Sequence, residues 1–163
     1  MSKKILIIGN GAKEYALAKK LSEKHEVYVT PSSDTLKEFT ICLDIREDNV
    51  AELLEFVMEN GIDMTIPISA QALKSNIAEI FNNNGQKIFA PAQKASNIVF
   101  DKALAKKVLY KLRIPTPKFG IFEKQNMVLD YIKNQKIPFL LKTDASNLSL
   151  IHISEPTRRR GIS

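Results

Sequence analysis

The chain has 163 residues, 44% of them hydrophobic and 26% charged, with a formal net charge of +6; that length supports one domain with a proper core and the beginning of another. No apolar run approaches the roughly 20 residues that span a bilayer, and MSKKILIIGNG enters a strand-like segment without a signal peptide, so no membrane contact and a cytoplasmic location are expected. One cysteine, Cys42, and two histidines exclude an internal disulfide and a cysteine/histidine metal site.

In chain order, Lys4 to Ile8 (KILII) and Glu26 to Thr30 (EVYVT) read as buried strands flanking a helix from Ala12 to Lys24, a βαβ opening. Ile41 to Leu43 is a weaker strand. A helix from about Asp48 to Asn60 follows, with Val50, Leu53, Leu54 and Val57 at helical spacing, Asp48 placed to cap it and Gly61 placed to stop it. Met64 to Ile68 reads as a strand, Ala72 to Asn83 as a helix with Leu73, Ile77, Ile80 and Phe81 inward, and Lys87 to Phe89 as a short strand. Alternating strands and crossover helices predict an α/β fold with a Rossmann-like, doubly wound parallel sheet.

A second unit opens near Pro91. Asp101 to Leu112 forms a lysine-rich amphipathic helix, RIPTPKFGIF breaks it with two prolines and leads into a strand, and a helix from about Asn126 to Asn134 precedes the strand PFLLK. The lysines are scattered over helical faces with no interleaved aromatic residues, which argues against a nucleic-acid surface.

The chemistry-bearing turn is IIGNGAKEYA. A strand ending in Gly9, Asn10 and Gly11 that runs into a helix lets backbone N–H groups approach an anion, with the helix N-terminus adding about half a positive charge. The dinucleotide fingerprint would want a third glycine where this chain has Glu14, and an acidic residue after EVYVT. A tight turn that only packs a helix on a sheet fits the same residues.

Three stretches in register resemble one family. GNGAKEYALAKKL resembles the opening of phosphoribosylamine-glycine ligases, GNGGREHALAWKL in typical form. KIFAPAQKASNIVFDKALAKKVLYKLRIPTPKFGIF resembles the join between that family's N-terminal domain and its ATP-grasp domain, where KIFGP leads to SKAFAK and GIPTP. IPFLLKTDAS resembles its nucleotide-contacting strand P-x-V-V-K-A-D-G. The resemblance implies an ATP-dependent ligase that joins glycine to phosphoribosylamine through an acyl phosphate, with magnesium bridging the nucleotide. It places Gly9, Asn10 and Gly11, with Glu14, on phosphoribosylamine, and Lys102 and Lys142 on ATP. It assigns no catalytic residue and no metal ligand. Departures mark a divergent member, or a relative with another amine substrate: Lys13 and Tyr15 replace the family's Arg and His, and PISAQAL replaces V-G-P-E-A-P, with Ala70 where the glutamate would stand. Two other readings stay open: a different ATP-grasp enzyme, biotin-carboxylase-like or formate-using, and a non-catalytic Rossmann-type nucleotide-binding module.

The tail has another character. Only Arg46 and Arg113 occur in the first 147 residues, yet Arg158, Arg159 and Arg160 stand together. LSLIHISEPTR, Leu148 to Arg158, resembles at every position the translation of a transposase-type sequencing-library adapter, and the residues to Ser163 fit the index and flanking bases that follow such an adapter. Setting these residues aside leaves 21 basic and 17 acidic residues, or +4. The expected organisation is an N-terminal pre-ATP-grasp domain over 1–98, the truncated start of an ATP-grasp domain over 99–147, and an adapter-derived tail over 148–163. Alone, such a fragment is expected to lack ligase activity. Independently prepared genomic DNA should leave this sequence within a codon or two of Leu148; amplification across the junction checks it, and finding the LSLIHISEPTR codons there would refute the adapter reading.

Overall fold

The computed structural model describes residues 1–134 together with Leu141 and Lys142. The strand expected over PFLLK lies outside the described residues except for its last two positions, and the tail over 148–163 lies wholly outside them. The chain forms two compact units, Met1–Asn97 and Ile98–Ser163.

In the first unit β1 (Lys4–Ile8), β2 (Glu26–Thr30), β3 (Ile41–Cys42) and β4 (Met64–Pro67) form one parallel sheet in the order β3-β2-β1-β4. Its helices are α1 (Ala12–Ser22) after β1, α2 (Val50–Asn60) between β3 and β4, and then α3 (Ala70–Lys74) and α4 (Ile77–Asn83). β1 is central, paired from Lys4↔Glu26 to Ile8↔Thr30 on one side and from Ile5↔Met64 to Ile8↔Pro67 on the other. Its continuous apolar run follows from that position, because both faces are covered. Ile5 and Ile7 pack with Ala18, Val27, Val29 and Leu36, whereas Leu6 and Ile8 pack with Leu53, Val57, Ile77 and Phe81. Helices on opposite faces make the sheet doubly wound, as its alternating pattern predicts.

Four local expectations are corrected. The helix expected over Ala72 to Asn83 is two helices, broken where Asn76 adopts a left-handed φ of 58°. Asparagine tolerates that conformation better than most residues, and the break buries Ala72, Ile77 and Phe81 completely, while Leu73, expected inward, is half-buried. Asp48 does not cap α2. Asn49 does, accepting from Glu52 N, while Asp48 pairs with Arg46 at 2.8 Å in solvent. The strand expected at Lys87 to Phe89 shrinks to a single parallel bridge, Thr65↔Ile88. The strand expected in RIPTPKFGIF does not form, since Pro115 and Pro117 withhold two ladder donors.

The second unit contains α6 (Lys102–Lys111) and α7 (Gln125–Lys133), and α5 (Gln93–Phe100) contains the boundary between the units. Nothing in the sequence pattern announces α5. Its first residue, Gln93, donates its N–H to Glu79 Oε1 of α4 at 2.8 Å, so the cap comes from another helix. Asp101 caps α6 directly, accepting from Leu104 N at 2.7 Å.

Thr30 ties the carboxyl end of β2 to the loop after β3. It is fully buried, and its hydroxyl donates to Ile45 O at 2.5 Å and accepts from Ile45 N at 3.1 Å. Thr30→Val keeps the shape and leaves both backbone groups of Ile45 unpaired in the core. We expect a loss of about 2–6 kcal/mol, at roughly 1–3 kcal/mol for each of the two buried groups left unsatisfied, read as a lower denaturant midpoint with unchanged slope.

Candidate functional site

The sheet order creates a switch point. The chain leaves β1 for α1 on one face and leaves β4 for α3 and α4 on the other, and the carboxyl ends of adjacent strands at such a point are where open α/β sheets bind ligands. The backbone is locked there: Gly9 N donates to Thr30 O at 2.7 Å, and Ile68 N and Ser69 N both donate to Ile8 O, at 2.9 and 3.1 Å.

Gly9, Asn10, Gly11 and Glu14 come together at this point. Gly9 has φ of 126°, a conformation that a side chain would strain. Gly11 is the N-cap of α1 with an ordinary φ of −86° and no side-chain cap, so first-turn N–H groups remain for a guest. Glu14 in that first turn is 5% exposed, and its carboxylate lies against both glycines. A Cβ on Gly9 would meet Glu14 Oε1 at 2.7 Å, and one on Gly11 would meet Oε2 at 2.9 Å. The two glycines are thus required for different reasons: backbone conformation together with space at Gly9, space alone at Gly11. The carboxylate fills the inner side of the turn, while Asn10 and Gly11 are exposed.

The departures from the family motif are also located. Lys13 is exposed, and Tyr15 packs its ring edge-on against Phe39, 5.3 Å between centroids. Ala70 opens α3, and next to it the Ser69 hydroxyl donates to the Glu47 carboxylate. Sequence pattern did not single out Glu47. It lies 22 residues before Ser69, in a loop held by the Thr30 bonds to Ile45.

In the second unit Lys102, the first residue of α6, is only 9% exposed, unlike the solvated lysine that composition alone would suggest. One turn on, Lys106 lies over the Phe119 ring at 5.3 Å and donates to Thr116 Oγ1. Burial, and secondarily the neighbouring Lys142 ammonium, push the Lys106 pKa below the ordinary lysine value. Two cations held near each other form a donor set that fits phosphate oxygens. Lys102 and Lys106 share a face of α6 by their four-residue spacing, the one signal in DKALAK that points to Lys106. Among the described residues, no group of three or more His, Cys, Asp or Glu side chains could hold a metal ion, and no helix is long and apolar enough to cross a membrane.

The profile of the family described as "Phosphoribosylglycinamide synthetase, N domain" matches residues 3–98. The chain belongs to that family. It is 32% identical over 144 residues to the phosphoribosylamine-glycine ligase of Caldanaerobacter subterraneus, an alignment covering 86% of this chain and 34% of that protein. The chain therefore spans about a third of the length of the curated relatives it matches. Among solved structures, the phosphoribosylamine-glycine ligase of Thermotoga maritima superposes with a TM-score of 0.59 at 17% identity, covering 80% of this chain and 30% of that one. The N5-carboxyaminoimidazole ribonucleotide synthetase of the same organism superposes with a TM-score of 0.58 at 24% identity, covering 79% and 36%. At such identities these two structures show a shared fold.

The geometry of the turn separates its two glycines experimentally. Gly9→Ala should cost about 1–3 kcal/mol of strain in addition to the clash with Glu14, and Gly11→Ala only the clash. Adding Glu14→Ala should restore most of the stability lost in Gly11→Ala and little of that lost in Gly9→Ala. Thermal melts of the four variants check this, and equal rescue of both glycines would show that Gly9 needs no special backbone conformation.

Proposed function

We propose that this chain is the N-terminal part of an ATP-dependent ligase that joins the carboxylate of glycine to the amine of 5-phosphoribosylamine in purine synthesis. One observation supports the reading: the glycine turn of a phosphoribosylglycinamide synthetase N domain stands at the switch point, with Gly11 an N-cap that brings no side chain and the Glu14 carboxylate packed beneath.

Gly9, Asn10 and Gly11 hold the phosphoribosyl substrate, with Gly9 shaping the turn while its own N–H stays on Thr30 O, and the free N–H groups and dipole at the N-terminus of α1 facing the substrate. Glu14 fixes the shape of the turn and keeps an acceptor at its inner side. Lys102, Lys142 and Lys106 face the nucleotide phosphates and offset their charge. When bound with magnesium, ATP would supply the phosphoryl group that activates the glycine carboxylate, and the amine would then displace phosphate. Residues 1–98 make the substrate-binding domain, and residues 99–147 begin the ATP-grasp domain. Phosphoryl transfer depends on positioning and on exclusion of water. The 163-residue chain by itself therefore binds nucleotide weakly and turns nothing over.

The dinucleotide-module alternative is disfavoured by the same turn, because a buried carboxylate occupies the place where the fingerprint needs a third glycine for close approach. In the complete ligase carrying these residues, Gly11→Val puts a branched side chain into the turn. The KM for the phosphoribosyl substrate should rise roughly tenfold or more, and that for ATP less than about twofold. Steady-state kinetics with each substrate varied in turn checks this. Equal effects on both would make the turn a packing device only.

A further inference from the structure

Lys106 and its neighbour Lys107 meet opposite environments on α6. Lys107 is exposed, whereas Lys106 is half-buried, its ammonium 5.3 Å from the centre of the Phe119 ring and donating to Thr116 Oγ1. Burial first, and then the ammonium of Lys142 close by, push the Lys106 pKa down. Thr116 and Phe119, the two groups that hold Lys106, also wall an open cleft with Tyr110 and Tyr131. Lys107 and Lys118 stand at the same cleft, both exposed.

An amine in this setting differs from a solvated lysine. Desolvation beside a second cation keeps a larger share of it neutral, and the neutral form is the nucleophile. Its bond to Thr116 uses an N–H, so the lone pair of the neutral amine stays available for attack. Lys142 supplies the complement, a compact positive charge that draws a phosphate towards that amine. A reagent suited to both groups carries an electrophilic carbon and a phosphate in one small molecule. An acyl phosphate is such a reagent.

We propose that Lys106 is an acylation site for small acyl phosphates, Lys142 seating the phosphate while the Lys106 amine attacks the carbonyl carbon. A C–N bond forms, and the bond from the carbonyl carbon to the bridging oxygen breaks. That oxygen leaves with the electron pair as orthophosphate, which takes up the proton lost by the amine. The products are an amide and hydrogen phosphate, and no oxidant, reductant or further reactant is needed. Acylation removes the positive charge and with it the attraction to the Phe119 ring. On the nucleotide reading above it also removes one of the charges offered to the triphosphate, although the modification itself needs only the cluster.

The 163-residue chain treated with acetyl phosphate tests this, with fragment-ion mass spectrometry to separate acetylation at Lys106 from that at Lys107 and Lys118. Lys106 should react about fivefold faster than either, because more of it is neutral and a phosphate site adjoins it. The two exposed lysines share the cleft and its reagent, which makes them internal controls. Lys142→Met should cut the Lys106 rate about fivefold, the size of one ammonium–phosphate contact in water, and change the Lys107 rate less than about twofold. Acetic anhydride, an acyl donor without phosphate, should show a smaller preference for Lys106, and this comparison needs no variant to fold. Lys106 reacting no faster than Lys107 and Lys118 overturns the proposal. So does an equal preference with acetic anhydride, or a Lys106 rate unchanged in Lys142→Met.

Discussion

The carboxyl end of β1 is the point on which the rest of the first unit depends. The strand is central, covered on both faces, and its last carbonyl, Ile8 O, accepts two N–H groups from the chain leaving β4. Immediately beyond, Gly9 turns with φ of 126° and donates to Thr30 O. One short stretch therefore joins three of the four strands at the edge where the helices begin. Unsatisfied backbone groups in such a place are costly, so the chain has little freedom to rearrange there. That rigidity positions a site built largely from backbone.

The two units present positive charge by different physics. In the first, N–H groups and a helix terminus present partial charges from fixed backbone, which suits a substrate that must be oriented. In the second, full charges on flexible stems are gathered on a helix, with Lys106 desolvated over Phe119 near Lys142. Folding disfavours the charged form of Lys106, and a bound polyphosphate would favour it.

The Glu47–Ser69 contact joins two connections that lie far apart in sequence. Position 70 lies at the opening of a helix only five residues long, and position 47 in a loop held by a buried threonine. Both reach the same end of β4, since parallel strands bring the segments that follow them to one edge of the sheet. A carboxylate can reach that edge from either connection.

The sequence by itself determined the strand and helix order, the parallel doubly wound sheet, the glycine turn and the family, because each rests on local pattern. Apolar runs of five residues, helical spacing in α2 and glycines at the end of a strand are visible without partners. The break at Asn76, the start of α5 on Glu79 and the cap at Asn49 instead of Asp48 were decided elsewhere, by which neighbours each segment found. Lys106 and Glu47 belong with these. A lysine among many and a glutamate in a loop carry little signal of their own; packing half-buries the one against Phe119, and a hydroxyl 22 residues away aligns the other. Local pattern encodes what a segment buries, and only the tertiary structure decides which polar groups are carried along to the same edge.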